Sequence, residues 1–190
     1  MSEDQKTISI TGTNNKYQIK KMIKDRKVEK ETKKRVVSEK WSFSDECFLH
    51  TYQIKVLDNI FENNYQHNDE TSRIAIQEIN KKIYGYKQQD TLKKHYDSEK
   101  FLTFESVIKK LIESELKCRY CKCEMSILYD VSREMKQWSV DRIDNDKGHN
   151  LENYYLACLE CNLKRRRRND EKFLFTKQLK LVKKDDSLIN

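Results

Sequence analysis

The amino-acid sequence predicts a mixed α+β protein, helical through its N-terminal half and closing on a strand–strand–helix module with a basic end. Three observations carry this. Proline is absent and glycine occurs three times in 190 residues, so turns are scarce and long helices are the cheapest assumption for residues 18 to 116. Four of the six cysteines fall into two Cys-x2-Cys pairs, Cys118/Cys121 and Cys158/Cys161. Between the pairs, an alternating stretch from Gln137 to Ile143 precedes a polar Asn145-Asp146-Lys147-Gly148 turn region and then Tyr154-Tyr155-Leu156-Ala157, the pattern of a hairpin.

The elements follow in order. Residues 20 to 40 carry ten basic against four acidic side chains with little apolar periodicity, so residues 1–40 read as a solvated, charged arm. Residues 41–100 read as a helical region. There Ser44-Asp45-Glu46 is placed to cap a helix whose Leu49, Tyr52, Val56 and Ile60 recur at helical spacing, and Ile76, Ile79, Ile83 and Tyr86 mark a second. Residues 101–184 form the module with its basic tail. Thr103 precedes Phe104, Val107, Ile108, Leu111, Ile112 and Leu116, the clearest amphipathic stripe in the chain, and this helix runs directly into Cys118. After the hairpin, Asn162-Leu163-Lys164-Arg165 favours a helix, and Phe173, Phe175, Leu179 and Val182 suggest that the tail packs back on the module.

Charged residues make up 37% of the chain and the hydrophobic set 36%, so the apolar core is thin and something besides burial should help hold the fold. No apolar run approaches the length of a membrane span, and the first twenty residues lack the hydrophobic stretch of a signal peptide. The expectation is a soluble intracellular protein with no membrane partner, in whose reducing surroundings paired cysteines bind metal rather than each other. The net charge of +8 points to a polyanionic partner. Residues 161 to 184 hold ten Lys/Arg against Asp170 and Glu171, a surplus equal to that of the whole chain, so the positive field is focused just after the last cysteine.

Each Cys-x2-Cys pair places two thiolates on one tight turn. Four sulfurs about 2.3 Å from one ion make the closed tetrahedral site of structural zinc. Cys118, Cys121, Cys158 and Cys161 are therefore the expected zinc ligands. Cys123 is a spare thiol that could exchange with Cys121, and Cys47 stands alone as a core residue. Zinc binding in small modules supplies roughly 10 to 16 kcal/mol, which would stand in for the thin core.

Between and after the pairs lie Asp141-Arg142-Ile143-Asp144-Asn145, Lys147-Gly148-His149, Asn153, and Asn162 beside the last cysteine. This run resembles the HNH (ββα-metal, zinc-knuckle) endonucleases, in particular the branch typical of phages and large DNA viruses. The resemblance is strong over residues 118 to 168. It implies a metal-dependent endonuclease hydrolysing phosphodiester bonds in DNA, with a catalytic Mg²⁺ or Mn²⁺ ion held by Asp141 and Asn162 and a structural zinc held by four cysteines. It also implies that Asn153 braces the loop, and that the helix carrying Lys164, Arg165, Arg166, Arg167 and Arg168 meets the nucleic-acid backbone. Such contacts set affinity and position without reading sequence.

One position departs from the family. Arg142 stands where active members usually have the histidine that takes a proton from the attacking water, and a guanidinium has no acceptor for it. Arg142 suits a bidentate contact to the scissile phosphate instead. Among residues able to replace the base, His149 in the hairpin loop leads, ahead of Asp144 and Tyr155. Two readings lead: a DNA endonuclease, with RNA as the alternative substrate, or a noncatalytic zinc-knuckle nucleic-acid binder that kept the fold after losing its base; a third, a protein-binding zinc module, suits the helical N-terminal half but leaves Asp141 and Asn162 unexplained.

Overall fold

The computed structural model describes residues 32–65 and 69–178. Of the described residues, those from Lys34 onward form one compact unit. Short 3-10 turns at Ser38–Lys40 and Asp45–Phe48 lead into α1 (His50–Phe61), α2 (Glu70–Leu92) and α3 (Phe104–Glu113); β1 (Trp138–Arg142), β2 (Tyr154–Cys158), α4 (Leu159–Arg165) and α5 (Asp170–Gln178) follow.

Of the stripes read from the sequence, Val56 and Ile60 of α1, Ile79 of α2, and Val107, Ile108 and Leu111 of α3 are buried, while Tyr52, Ile76, Ile83 and Tyr86 pack half-buried against the same core. α1 packs against both α2 and α3. The start of α1 differs from expectation. Ser44 precedes the 3-10 turn, and α1 begins after Leu49, whose extended backbone leaves its side chain exposed rather than in the stripe. At α2, Asp69 accepts hydrogen bonds from Thr71 N and Ser72 N at 3.0 and 3.2 Å, and at α3 Thr103 and Ser106 form a capping box.

α3 ends before Leu116, although the stripe includes it. Leu116 N donates to Leu111 O at 2.9 Å and Glu115 N to Ile112 O at 2.8 Å, closing a Schellman turn with Glu115 at φ 50°. Leu116 and Leu111 are both fully buried, the apolar contact that accompanies such turns. This turn redirects the chain into the cysteine knuckle.

The sheet is a two-stranded antiparallel hairpin, in which Trp138 pairs with Cys158 and Arg142 with Tyr154. Its loop spans residues 143 to 153 and is held from outside. Leu102 N donates to His149 O at 2.9 Å and Leu151 N to Lys100 O at 2.8 Å. The helical half and the hairpin share one core: Leu57, Ile79, Leu111, Tyr120, Trp138 and Tyr154 are all fully buried in one cluster.

The boundary of the charged arm lies earlier than residue 40. Arg35 is ion-paired to Glu78 at 2.5 Å, donates to Tyr129 O, and stacks over the Tyr129 ring at 4.3 Å. Residues 34 to 40 therefore belong to the folded body, while residues 1–31 of the expected arm lie outside the described residues. Of the tail, Phe173 is buried edge-to-face on Tyr120, Phe175 is exposed, and Leu179 and Val182 lie outside the described residues. No helix among the described residues is long and apolar enough to cross a membrane.

Candidate metal centre and adjoining cleft

The sulfurs of Cys118, Cys121, Cys158 and Cys161 lie within 4.8 Å of one another. The first pair sits on the turn that follows α3, where Lys122 N donates to Cys118 O and Cys118 N to Cys123 O. The second pair joins β2 to α4, with Cys158 ending the strand and its Sγ accepting from Cys161 N at 3.4 Å. Four sulfurs about 2.3 Å from a common centre stand about 3.8 Å apart along a tetrahedron's edges, and Cys121 Sγ and Cys158 Sγ are 3.8 Å apart. Donor type and spacing thus fit a metal ion such as zinc.

Hydrogen bonding from Cys158 lowers the Cys118 thiol from its ordinary value. The same pairing, with burial, drives Cys158 upward, and burial raises Cys161 to about 12. A cation among the sulfurs is what makes thiolates favourable. Cys123 lies half-buried outside the four, and Cys47 is buried in the core beside Thr71.

Beside the cluster, a cleft of about 230 Å³ is lined by residues that include Asp141, Arg142, His149 and Asn162. Asp141, near the end of β1, is buried. Its Oδ2 accepts from Tyr120 OH at 2.5 Å and from Arg165 Nε at 2.6 Å, leaving Oδ1 as its other donor atom. Asn162, in the first turn of α4, donates through Nδ2 to Ser139 Oγ at 3.1 Å and Val140 O at 3.0 Å, leaving Oδ1. Asp141 and Asn162 both line this cleft.

His149 is buried in the loop wall. Its Nδ1 lies 2.8 Å from Asp90 Oδ1, its backbone N donates to Asp90 Oδ2 at 2.6 Å, and its ring stacks on Tyr86 at 4.7 Å. Burial holds the imidazole below its ordinary pKa, Asp90 opposes that shift, and Arg142 and Lys93 add to it. A neutral ring at physiological pH can accept a proton. Arg142 is anchored by a bond from Nη1 to Lys147 O at 3.0 Å. Asn153 spans the loop, accepting from Asp144 N at 2.9 Å and donating to Asp144 O at 3.0 Å and Gly148 O at 2.9 Å.

The two other residues that the sequence offered as a base, Asp144 and Tyr155, stand apart from this arrangement. Asp144 caps its own turn by accepting from Asp146 N and pairs with Lys147. Tyr155 lies under the Arg119 guanidinium at 3.7 Å.

Arg165 requires a correction. It is fully buried, and besides Asp141 it donates to Arg168 O at 2.6 Å and to Arg142 O. It is a core ion-pair partner and presents nothing to a phosphate. Lys164, Arg166, Arg167 and Arg168 remain exposed, with Lys164 paired to Glu160 and Arg167 to Asp146.

Tyr86, Asp90 and Tyr120 are the residues that sequence reasoning missed. A signal existed for the first two. Ile79, Ile83, Tyr86 and Asp90 follow one another at spacings of four, three and four, so a carboxylate continues the apolar stripe of α2 where a hydrophobe belongs. The chain matches no protein-family model, no curated protein and no solved structure.

Proposed function

We propose that this chain is a metal-dependent endonuclease of the HNH type that hydrolyses phosphodiester bonds in DNA, stapled by zinc at Cys118, Cys121, Cys158 and Cys161. The observation that carries the reading is the convergence of Asp141, Arg142, His149 and Asn162 on one cleft. Strand, helix and loop all contribute to it, and the chemistry of these side chains is complementary.

A Mg²⁺ or Mn²⁺ ion held by the free oxygens of Asp141 and Asn162 would polarise the scissile phosphate and stabilise charge on the leaving oxygen. His149 Nε2 takes a proton from the attacking water, whose oxygen bonds to phosphorus as the bond to the leaving sugar oxygen breaks; that oxygen is protonated from solvent. Arg142 holds the phosphate. Lys164, Arg166, Arg167 and Arg168 supply sequence-independent backbone contacts.

One observation favours the second reading, a noncatalytic zinc-knuckle nucleic-acid binder. Arg165 already compensates Asp141 in the interior, which weakens the draw on a second cation. Plasmid nicking in added Mg²⁺ or Mn²⁺ separates the two. Asp141→Ala is a poor probe, because it strands a buried guanidinium. Asn162→Ala leaves that ion pair in place and should abolish nicking while DNA binding survives. Undiminished cleavage by this variant would remove the metal-ligand assignment of Asn162.

A further inference from the structure

The Asp90 carboxylate is fully buried on α2, far in sequence from the cysteine module, and both of its oxygens are committed to one residue. Oδ2 accepts from the backbone N of His149 at 2.6 Å, and Oδ1 meets its Nδ1 at 2.8 Å. The backbone of Asp90 is itself fixed, since its carbonyl accepts from His95 N at 2.8 Å.

Close approach on this side depends on Gly148. A Cβ there would collide with the His95 carbonyl oxygen and stand 3.0 Å from Asp90 Oδ2. Tyr86, one helical turn before Asp90, stacks on the imidazole and accepts from Val140 N at 3.0 Å, tying the ring to β1. Leu102 N holds the His149 carbonyl from the other side.

We propose that Asp90 is the positioning residue for His149: its carboxylate fixes the imidazole in the Nδ1–H tautomer and turns Nε2 to the cleft that holds Asp141 and Asn162. With Oδ1 accepting from the ring as Oδ2 accepts from the backbone N–H, Nδ1 carries the proton and Nε2 is left as the ring's lone-pair nitrogen. The catalytic part of this proposal rests on the endonuclease reading; the tautomer part does not. The consequence is structural as well. The module that looks self-contained in sequence draws the orientation of its base from the preceding helical region, so residues 118 to 168 alone would carry the ligands without a fixed base.

The tautomer is read directly from ¹⁵N-correlated NMR of the imidazole nitrogens in the full-length zinc-loaded protein, with His149→Gln assigning the signals. The expected result is a protonated Nδ1 with a strongly downfield proton and an unprotonated Nε2. An Nε2–H ring in the wild type would overturn the proposal whatever the activity.

Asp90→Asn is nearly isosteric but offers one acceptor where two donors now bind, so it should abolish that signature. In nicking assays it should slow the wild type by about 10²-fold or more and leave a His149→Ala background unchanged. Equal slowing in both backgrounds would mark Asp90 as merely structural. If His149→Ala nicks normally, the base assignment fails while the NMR result still decides the role of Asp90. Should Asp90→Asn fail to fold, the wild-type tautomer and the downfield Nδ1 proton remain the deciding observations.

Discussion

Replacing Arg165 by methionine should destabilise the protein far more than any other change in the four-arginine run. Its guanidinium is wholly buried and divided among the Asp141 carboxylate and the carbonyls of Arg142 and Arg168. Removing one partner of a buried ion pair costs about 3–5 kcal/mol, because the other charge stays behind. At roughly 2–4 °C per kcal/mol for a unit of this size, the melting temperature should fall by roughly 6–20 °C. Exposed Arg167, paired only with exposed Asp146, should change stability by no more than about 0.5 kcal/mol.

The pH dependence has a definite sign. Burial holds the Asp141 carboxyl above its ordinary pKa, with Arg165 and Tyr120 opposing the shift. An acid whose folded pKa is raised binds its proton more tightly in the folded state, so stability falls as pH rises through the unfolded and then the folded value. Arg165 limits that fall. The deficit of Arg165→Met should therefore be largest at neutral pH and shrink in acid as Asp141 takes up a proton. Urea denaturation of the zinc-loaded variants across pH measures this directly, and a deficit no larger than that of Arg167→Met would refute the assignment of Arg165 to the core.

Four further outcomes are expected. Elemental analysis should find one zinc per chain, and Cys158→Ser should lose both the ion and cooperative unfolding; a zinc-free protein with an unchanged melting curve would contradict the staple. The acid limb of kcat/KM should lie below the ordinary histidine value of about 6.5, since burial depresses His149 and Arg142 and Lys93 add to the shift against Asp90; a limb above that value would contradict a buried neutral base. Neutralising Arg166, Arg167 and Arg168 should lower the slope of log affinity against log salt by up to about 3 on any DNA sequence, whereas an unchanged slope would return these residues to solvent. Glu115→Gly should stabilise the fold by about 0.5–1 kcal/mol, read as a higher melting temperature, because Glu115 closes its Schellman turn at φ 50°.

Much of this architecture was legible in the sequence because its signals are local. The cysteine spacing placed four sulfurs on two turns, and the stripes of α1, α2 and α3 marked the faces that are buried. The alternation around Val140 marked the first strand of the hairpin. What escaped depends on tertiary placement. Nothing in four consecutive arginines says which one is buried; that follows from α4, which carries Asn162 and Arg165 three residues apart and so on one side of the helix, facing β1 and Asp141. Asp90 and His149 lie 59 residues apart in the chain, so their pairing exists only once α2 packs beside the hairpin loop. The start of α1 was misread because Ser44 to Glu46 suit a helix cap and a 3-10 turn equally well.

The central claim is that Asp141, Asn162 and His149 act at one hydrolytic site. Its most direct measurement is nicking of supercoiled plasmid by zinc-loaded wild type, Asn162→Ala, His149→Ala and the double variant Arg142→His/His149→Ala, with Mg²⁺ withheld rather than chelated so that zinc stays in place. The wild type should nick only with Mg²⁺ or Mn²⁺, and both single variants should fall by about 10²-fold or more with binding intact. The double variant should recover activity through a histidine at position 142. No cleavage by any of the four, with DNA binding intact, would contradict the claim and favour the noncatalytic binder.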